Sequence, residues 1–189
     1  MMPADEAARI ISLHRGDAIA VASSRALDLW TPASQCRNLD LDLTDCPERV
    51  TAVALGLALA RPHHRILALE SDATLRSNVS SLTTVGTLGP GNLVHFLFRD
   101  SGHASTGGSS IPGLDALDFP TMARSAGYSS SFVFDHIEEM ALAMEDVLSA
   151  PGPVFVTLNV YYDNEPALRV ARSMAETFLS LKHALATKP

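Results

Sequence analysis

The sequence predicts an α/β fold, a three-layer α/β/α arrangement on a mostly parallel sheet of about six strands. Short apolar runs alternate along the chain with segments of helical spacing. Most of those runs are solid, such as AIAVA at 18–22, ILALE at 66–70 and LVHFLF at 93–98. That is the pattern of parallel strands covered on both faces. The 189 residues, 47% of them hydrophobic, are enough for one medium domain with a real core.

Each element has its own local signal. Residues 4–14 set Ala7, Ile10, Ile11 and His14 at helical spacing, and Gly16-Asp17 breaks the pattern. A strand is expected at 18–22, with Ser23-Ser24 as a cap for the segment after it. Residues 25–44 are mixed, with a strand around 39–43. Pro47-Glu48 opens a helix to about Arg61, since proline suits the first turn and glutamate the positive end of the helix dipole. Its run VTAVALGLALA is apolar nearly all round, which predicts burial on most sides. A strand at 65–70, a helix at 74–87, a turn at Gly89-Pro90-Gly91 and a strand at 93–98 come after it. Residues 99–116 are a long loop of small residues directly after a strand, a place where function concentrates. A helix at 118–126, a strand at 131–134, a helix at 136–149 and a strand at 153–160 come next. The final helix, 166–185, puts Leu168, Ala171, Met174, Ala175, Phe178, Leu181 and Leu185 on one stripe, for packing or a subunit interface.

Charge and composition exclude several classes. A net charge of −7 without a basic cluster argues against nucleic acid or an anionic membrane as partner. No apolar run reaches membrane-spanning length, and MMPADEAARII lacks the layout of a signal peptide. Cys36 and Cys46 form neither a disulfide framework nor a CxxC motif, so a cytoplasmic setting fits.

Ligands of parallel α/β sheets sit outside the carboxyl ends of the strands. Two such ends are acidic here, Asp72 after the 65–70 strand and Asp100 after the 93–98 strand. Consecutive strands usually lie side by side, which would bring the two carboxylates together. Hard oxygen donors at a helix start suit Mg²⁺ shared with a substrate phosphate, and the helix start at Thr74 would offer N–H groups to that phosphate. The plainer alternative makes Asp72 the N-cap of the 74–87 helix and Asp100 a strand terminator. Spacing leaves both open. His63-His64 read as a solvated turn, because adjacent side chains face different ways. Ser23 and Ser24 read as caps, although a diphosphate-contacting loop would lie there. Cys46 reads as a small buried thiol, with no base nearby in sequence.

LALESDATLRSNVSSLTTVG and GPGNLVHFLFRDSGHASTGG resemble the thiamine-diphosphate-binding domain of phosphonopyruvate decarboxylase and of the sulfopyruvate decarboxylase beta subunit. Ser71-Asp72-Ala73-Thr74 falls on that family's Gly-Asp-Gly-Ser, with Asn78, Ser81, Leu82 and Thr84 in place behind it. Arg99-Asp100-Ser101-Gly102-His103 and Thr106-Gly107-Gly108 fall on Asp-Asn-Glu-Ala-His/Tyr and Thr-Gly-Gly without a gap. The resemblance covers roughly 5–185 and implies one such domain over 1–189. It implies thiamine diphosphate and Mg²⁺ as cofactors, with the metal held by Asp72, Asp100 and the Gly102 carbonyl. It places Ser71, Ala73, Thr74 and Thr106 at the cofactor and His103 at the reacting carboxylate or in proton transfer, with a surface loop histidine as the plainer alternative for His103. The family's Gly-Ser-Met-Gly, which touches the cofactor's rings, becomes Asp45-Cys46-Pro47-Glu48, so Cys46 and Pro47 take that place. Both glycines of Gly-Asp-Gly are replaced, by Ser71 and Ala73, at a cost if the backbone there needs positive φ. Arg76, at a usually apolar position, is a candidate to offset the extra negative charge of Asp100.

The implied activity is decarboxylation of a small 2-oxo acid. The implied partner is a separate pyrimidine-binding subunit carrying the activating glutamate, in a homo- or hetero-oligomer. The alternative is a degenerate, non-catalytic subunit that keeps the fold for assembly.

Overall fold

The computed structural model describes residues 1–100, 112–113, 116–163 and 172–186. Seven strands lie in one sheet: β1 (Met2–Pro3), β2 (Ile19–Ala22), β3 (Asp40–Asp42), β4 (Ile66–Ser71), β5 (Leu93–Arg99), β6 (Ser130–Phe134) and β7 (Val154–Tyr161). Their order is β1-β7-β5-β4-β2-β3, with β6 also paired to β7, and every pairing is parallel. The expected architecture is present, with β1 as an added two-residue strand too short to leave a periodic signal.

The helices are α1 (Ala4–His14), α2 (Ser24–Ala33), α3 (Val50–Ala60), α4 (Asp72–Ser77), α5 (Ser81–Leu88), α6 (Phe119–Ala126), α7 (Ile137–Ser149) and α8 (Met174–Ala186). They divide between the two sheet faces because strand side chains alternate. Ala20, Ala22, Leu67, Leu69 and Phe96 pack with α1, α2 and α7 through Ile11, Trp30, Met140 and Met144. Ile19, Val21, Ile66, Ala68 and Leu97 pack with α3, α5 and α6 through Ala54, Val85, Phe119 and Ala123, and Leu181 of α8 joins that core. Phe96, Ile66, Ala68 and Leu97 are fully buried, as the solid apolar runs require.

Four expectations are corrected. Residues 24–33 form α2, where no helix was expected: its buried contribution is only Ala26, Leu27 and Trp30, and Pro32 sits in its last turn. The 74–87 helix is two helices, α4 and α5, separated at Asn78, whose Nδ2 donates to the Glu48 carbonyl at 3.0 Å instead of continuing the turn. The segment at Pro47–Arg49 is a single 3-10 turn before α3, and α3 is buried on one face only. Ala52, Gly56 and Leu59 face outward, because an edge-on helix over one sheet can bury only the stripe that touches it. In α8 the buried residues are Thr177 and Leu181, while Ala175 and Phe178 of the expected stripe are exposed. Leu168 and Ala171 lie outside the described residues.

Away from the site, Arg15 and Asp40 form a buried ion pair of 2.6 Å that ties the end of α1 to β3. Ser34 also donates to that carboxylate, so the buried charges are compensated. At the α5–α6 crossing, Gly86 meets the backbone of Ala126 and Gly127, and a Cβ added at Gly86 would sit 1.8 Å from the Ala126 carbonyl oxygen. Gly56 on α3 has open space around it. Gly86→Ala is therefore expected to cost about 1–3 kcal/mol by forcing the helices apart. Gly56→Ala is expected to be neutral or to gain up to about 1 kcal/mol of helix propensity. Urea denaturation of the two variants measures the contrast.

Candidate functional site

The topology creates the site. β2 is followed by β3 on one side, whereas β4 lies on its other side, so the direction of winding switches between β2 and β4. A crevice opens at such a switch, outside the carboxyl ends of the strands. It is a cleft of about 620 Å³ lined by Ser24, Arg25 and Asp28 after β2, Ser71 at the end of β4, Ala73, Thr74 and Ser77 after it, and Pro47 and Glu48.

The acidic strand ends are neighbours. β4 and β5 run in register from Ile66 opposite Leu93 to Ser71 opposite Phe98. Asp72 and Asp100 are therefore the first residues beyond adjoining strand ends. Their exposures are 0% and 8%, so two carboxylates stand in water-poor surroundings on one sheet edge.

The question of the helix cap is settled by Ser71. Its Oγ accepts the Thr74 N–H at 3.3 Å and lies 2.9 Å from Thr74 Oγ1, which makes Ser71 the N-cap of α4. Asp72 is inside the helix, with Oδ1 accepting the Ala73 N–H at 2.7 Å. The Thr74 N–H expected to face a phosphate is thus already engaged by Ser71. Ser71 has φ −89, and Ser24 is the one non-glycine residue with positive φ among the described residues. Replacement of the two family glycines therefore puts no strain on the backbone; what Ser71 and Ala73 change is the space, since both line the cleft.

The segment 46–49 is fixed from two sides. Ser23 Oγ donates to the Pro47 carbonyl at 2.9 Å, and Asn78 holds the Glu48 carbonyl. Ser23 thus binds a neighbouring segment, and no side-chain bond from it caps α2. Pro47 lines the cleft, whereas Cys46 packs toward the core with Sγ 3.8 Å from Met174 Sδ. Arg76 is exposed and does not line the cleft. Gly102, His103 and Thr106 lie outside the described residues.

Three residues at the site went unremarked in the sequence. Arg25 and Asp28 reach it from α2, the helix that periodicity did not disclose. Tyr162 comes from just beyond β7, and the Arg25 guanidinium stacks 4.6 Å above its ring. Burial, then Asp100, pushes the Tyr162 pKa up, with Asp72 and Asp28 acting in the same sense and Arg25 opposing. Its Oη is buried without a hydrogen-bond partner among the described residues. The only available signal was position: Arg25 and Tyr162 each follow a solid apolar strand within a few residues.

Beneath the cleft, Glu70 is buried on the opposite face of β4. Its Oε1 accepts the Thr51 hydroxyl of α3 at 2.5 Å and lies 2.7 Å from His95 Nε2, a close electrostatic contact short of hydrogen-bond alignment. His95 Nδ1 lies 3.1 Å from the Tyr128 hydroxyl. Burial, reinforced by Glu70, holds the Tyr128 pKa well above the usual tyrosine value.

The sequence family described as "Thiamine pyrophosphate enzyme, C-terminal TPP binding domain" matches residues 43–158, more than half of the chain. The chain belongs to this family. Phosphonopyruvate decarboxylase of Streptomyces viridochromogenes is 32% identical over 108 residues, covering 57% of this chain and 27% of that protein. Sulfopyruvate decarboxylase subunit beta of Methanothermobacter thermautotrophicus is 32% identical over 111 residues, covering 58% of this chain and 56% of that subunit. The chain thus spans about a quarter of the first relative and just over half of the second. An X-ray structure provisionally assigned to a thiamin diphosphate-dependent enzyme of Mycobacterium smegmatis superposes with a TM-score of 0.68 at 19% identity, covering 84% of this chain and 32% of that one. That likeness carries the fold. No helix among the described residues is long and apolar enough to cross a membrane.

Tyr128→Phe removes the contact with His95 and is expected to cost about 1 kcal/mol at neutral pH. The folded-state pKa lies above that of an unfolded tyrosine, about 10. The protonated phenol therefore contributes its full stability below about pH 10 and loses it as pH rises further. Urea denaturation between about pH 8 and pH 11 should show a shallower alkaline loss in Tyr128→Phe than in the wild type.

Proposed function

We propose that this chain is the diphosphate- and magnesium-holding part of a thiamine-diphosphate-dependent 2-oxo acid decarboxylase of the phosphonopyruvate or sulfopyruvate type. The observation that carries the reading is the placing of Asp72 and Asp100 on adjoining strand ends, beside the switch-point cleft, in a chain of the TPP-binding family.

The residues present fit the group. Two carboxylates supply hard oxygen donors for Mg²⁺. The backbone at Ser71 needs no glycine, and the buried Tyr162 hydroxyl lacks a hydrogen-bond partner among the described residues. Asp72 and Asp100 would hold the metal, and the Ser24–Arg25 and Ser71–Thr74 walls would flank the diphosphate. The Gly102 carbonyl as third ligand, Thr106 at the cofactor and His103 as proton donor rest on the resemblance alone. When bound, thiamine diphosphate supplies an electron sink for loss of carbon dioxide from a 2-oxo acid. The chain's own part is to anchor the metal and diphosphate, and to set Pro47 beside them through Ser23 and Asn78.

Activity would require a pyrimidine-binding partner. Two facts support one: the sulfopyruvate relative is itself a beta subunit, and α3 presents an apolar outer face, with Leu59 53% exposed. Cys36 and Cys46 are free thiols, in accord with a cytoplasmic setting. The non-catalytic alternative draws on Cys46, which is turned away from the cleft in the segment that the resemblance sets against the cofactor's rings.

Calorimetric titration of thiamine diphosphate with Mg²⁺, and again with EDTA, separates the readings. Magnesium-dependent binding that weakens at least about 100-fold in Asp72→Ala is expected, the scale of losing one buried charged partner. Absence of binding even with the pyrimidine-domain subunit added would leave the non-catalytic reading.

A further inference from the structure

We infer that Arg25, seated on Tyr162, is the cationic wall of the cleft and selects a diphosphate over a monophosphate on the bound cofactor. The inference rests on the proposed function above and adds a recognition element to it. Both residues lie outside the 43–158 stretch that the family pattern covers.

Four observations converge. First, Arg25 is the one cation among the described residues lining the cleft, whose other charged members are Asp28 and Glu48. Asp72 and Asp100 stand close by and are buried. A metal diphosphate entering such surroundings needs more positive charge than the metal alone, and guanidinium, with its planar fork of donors, suits phosphate oxygens. Arg76, the cation that the sequence offers for this task, is exposed on α4 and away from the cleft.

Second, Arg25 is held in place. Its guanidinium lies 4.6 Å from the centre of the Tyr162 ring. Third, the chain leading to it is fixed: Ser23 is bonded to the Pro47 carbonyl, and Ser24 adopts φ +48, which brings Arg25 into the first turn of α2. A left-handed serine costs conformational energy that surrounding contacts must offset.

Fourth, the Tyr162 hydroxyl is buried with no hydrogen-bond partner among the described residues. Buried hydroxyls are rarely left unsatisfied. This one lies within electrostatic reach of Arg25, Asp72 and Asp100, where an oxygen of a bound diphosphate would accept a hydrogen bond from it. Arg25, from the first turn of α2, and Tyr162, from just beyond β7, thus meet within electrostatic reach of the acidic pair.

The test is calorimetric titration of thiamine diphosphate and thiamine monophosphate, each with Mg²⁺, into the wild type, Arg25→Met, Arg25→Lys and Asp72→Ala. The pyrimidine-domain subunit is included if the wild type needs it, and thermal unfolding verifies that each variant is folded. Arg25→Met is expected to lose about 10- to 100-fold in diphosphate affinity, the scale of a charge-assisted contact, with little change for the monophosphate. Arg25→Lys should recover part of the loss. Unchanged diphosphate binding in Arg25→Met, beside loss in Asp72→Ala, would overturn the inference and leave the proposed function standing. Equal weakening for both ligands in Arg25→Met would also overturn it, because that marks a structural role. No magnesium-dependent binding by the wild type with its partner would remove the proposed function, and this inference with it.

Discussion

The parallel register of β4 on β5 is the constraint on which the rest of the structure depends. Six residue pairs, Ile66–Leu93 through Ser71–Phe98, run in step and in the same direction. Both strands therefore release the chain at one edge, and the first residues released include Asp72 and Asp100. An antiparallel pairing would have put them at opposite ends of the sheet. Ala22 opposite Leu69 then sets β2 against the other side of β4, which brings Ser24 and Arg25 to the same edge. The central strands must also be covered on both faces, and that requirement accounts for two helical layers and for runs of apolar residues without alternation.

The edge concentrates negative charge in poorly hydrated surroundings. Isolated buried carboxylates are costly, and proteins retain them where a cation or hydrogen-bond donors compensate. Part of that compensation is internal: Asp72 accepts the Ala73 N–H, and Ser71 takes over the capping that would otherwise fall to Asp72. Ser71 thus replaces a glycine of the family pattern with a residue that organises α4. Arg25, over Tyr162, adds a positive charge to the lining of the neighbouring cleft.

The site also connects downward into the core. Glu70, the residue before Ser71, points to the opposite face of β4 and joins Thr51 of α3 to His95 and Tyr128. Alternation along one strand thereby puts a buried polar cluster below the sheet and the cleft-lining Ser71 above it. Ser23 and Asn78 tie Pro47 and Glu48 to strand β2 and helix α4. The cleft walls are cross-linked through these carbonyls, so their spacing is set by the scaffold.

The sequence by itself determined the layering, the six longer strands, the pairing of the two acidic strand ends and the likeness to thiamine-diphosphate-binding domains. Each is written in contiguous residues: solid apolar runs, their order, and a short motif following each of two strands. Tertiary structure alone decided that Ser71 is the cap, that Cys46 turns to Met174, and that α3 is covered on one face. It alone also brought Arg25 and Tyr162, from distant parts of the chain, to the acidic edge. Side-chain direction depends on what packs against an element, and local spacing carries no record of that. Helix α2 shows the limit most plainly: three buried residues and a proline in its last turn leave little periodicity, yet that helix delivers the cleft's cation.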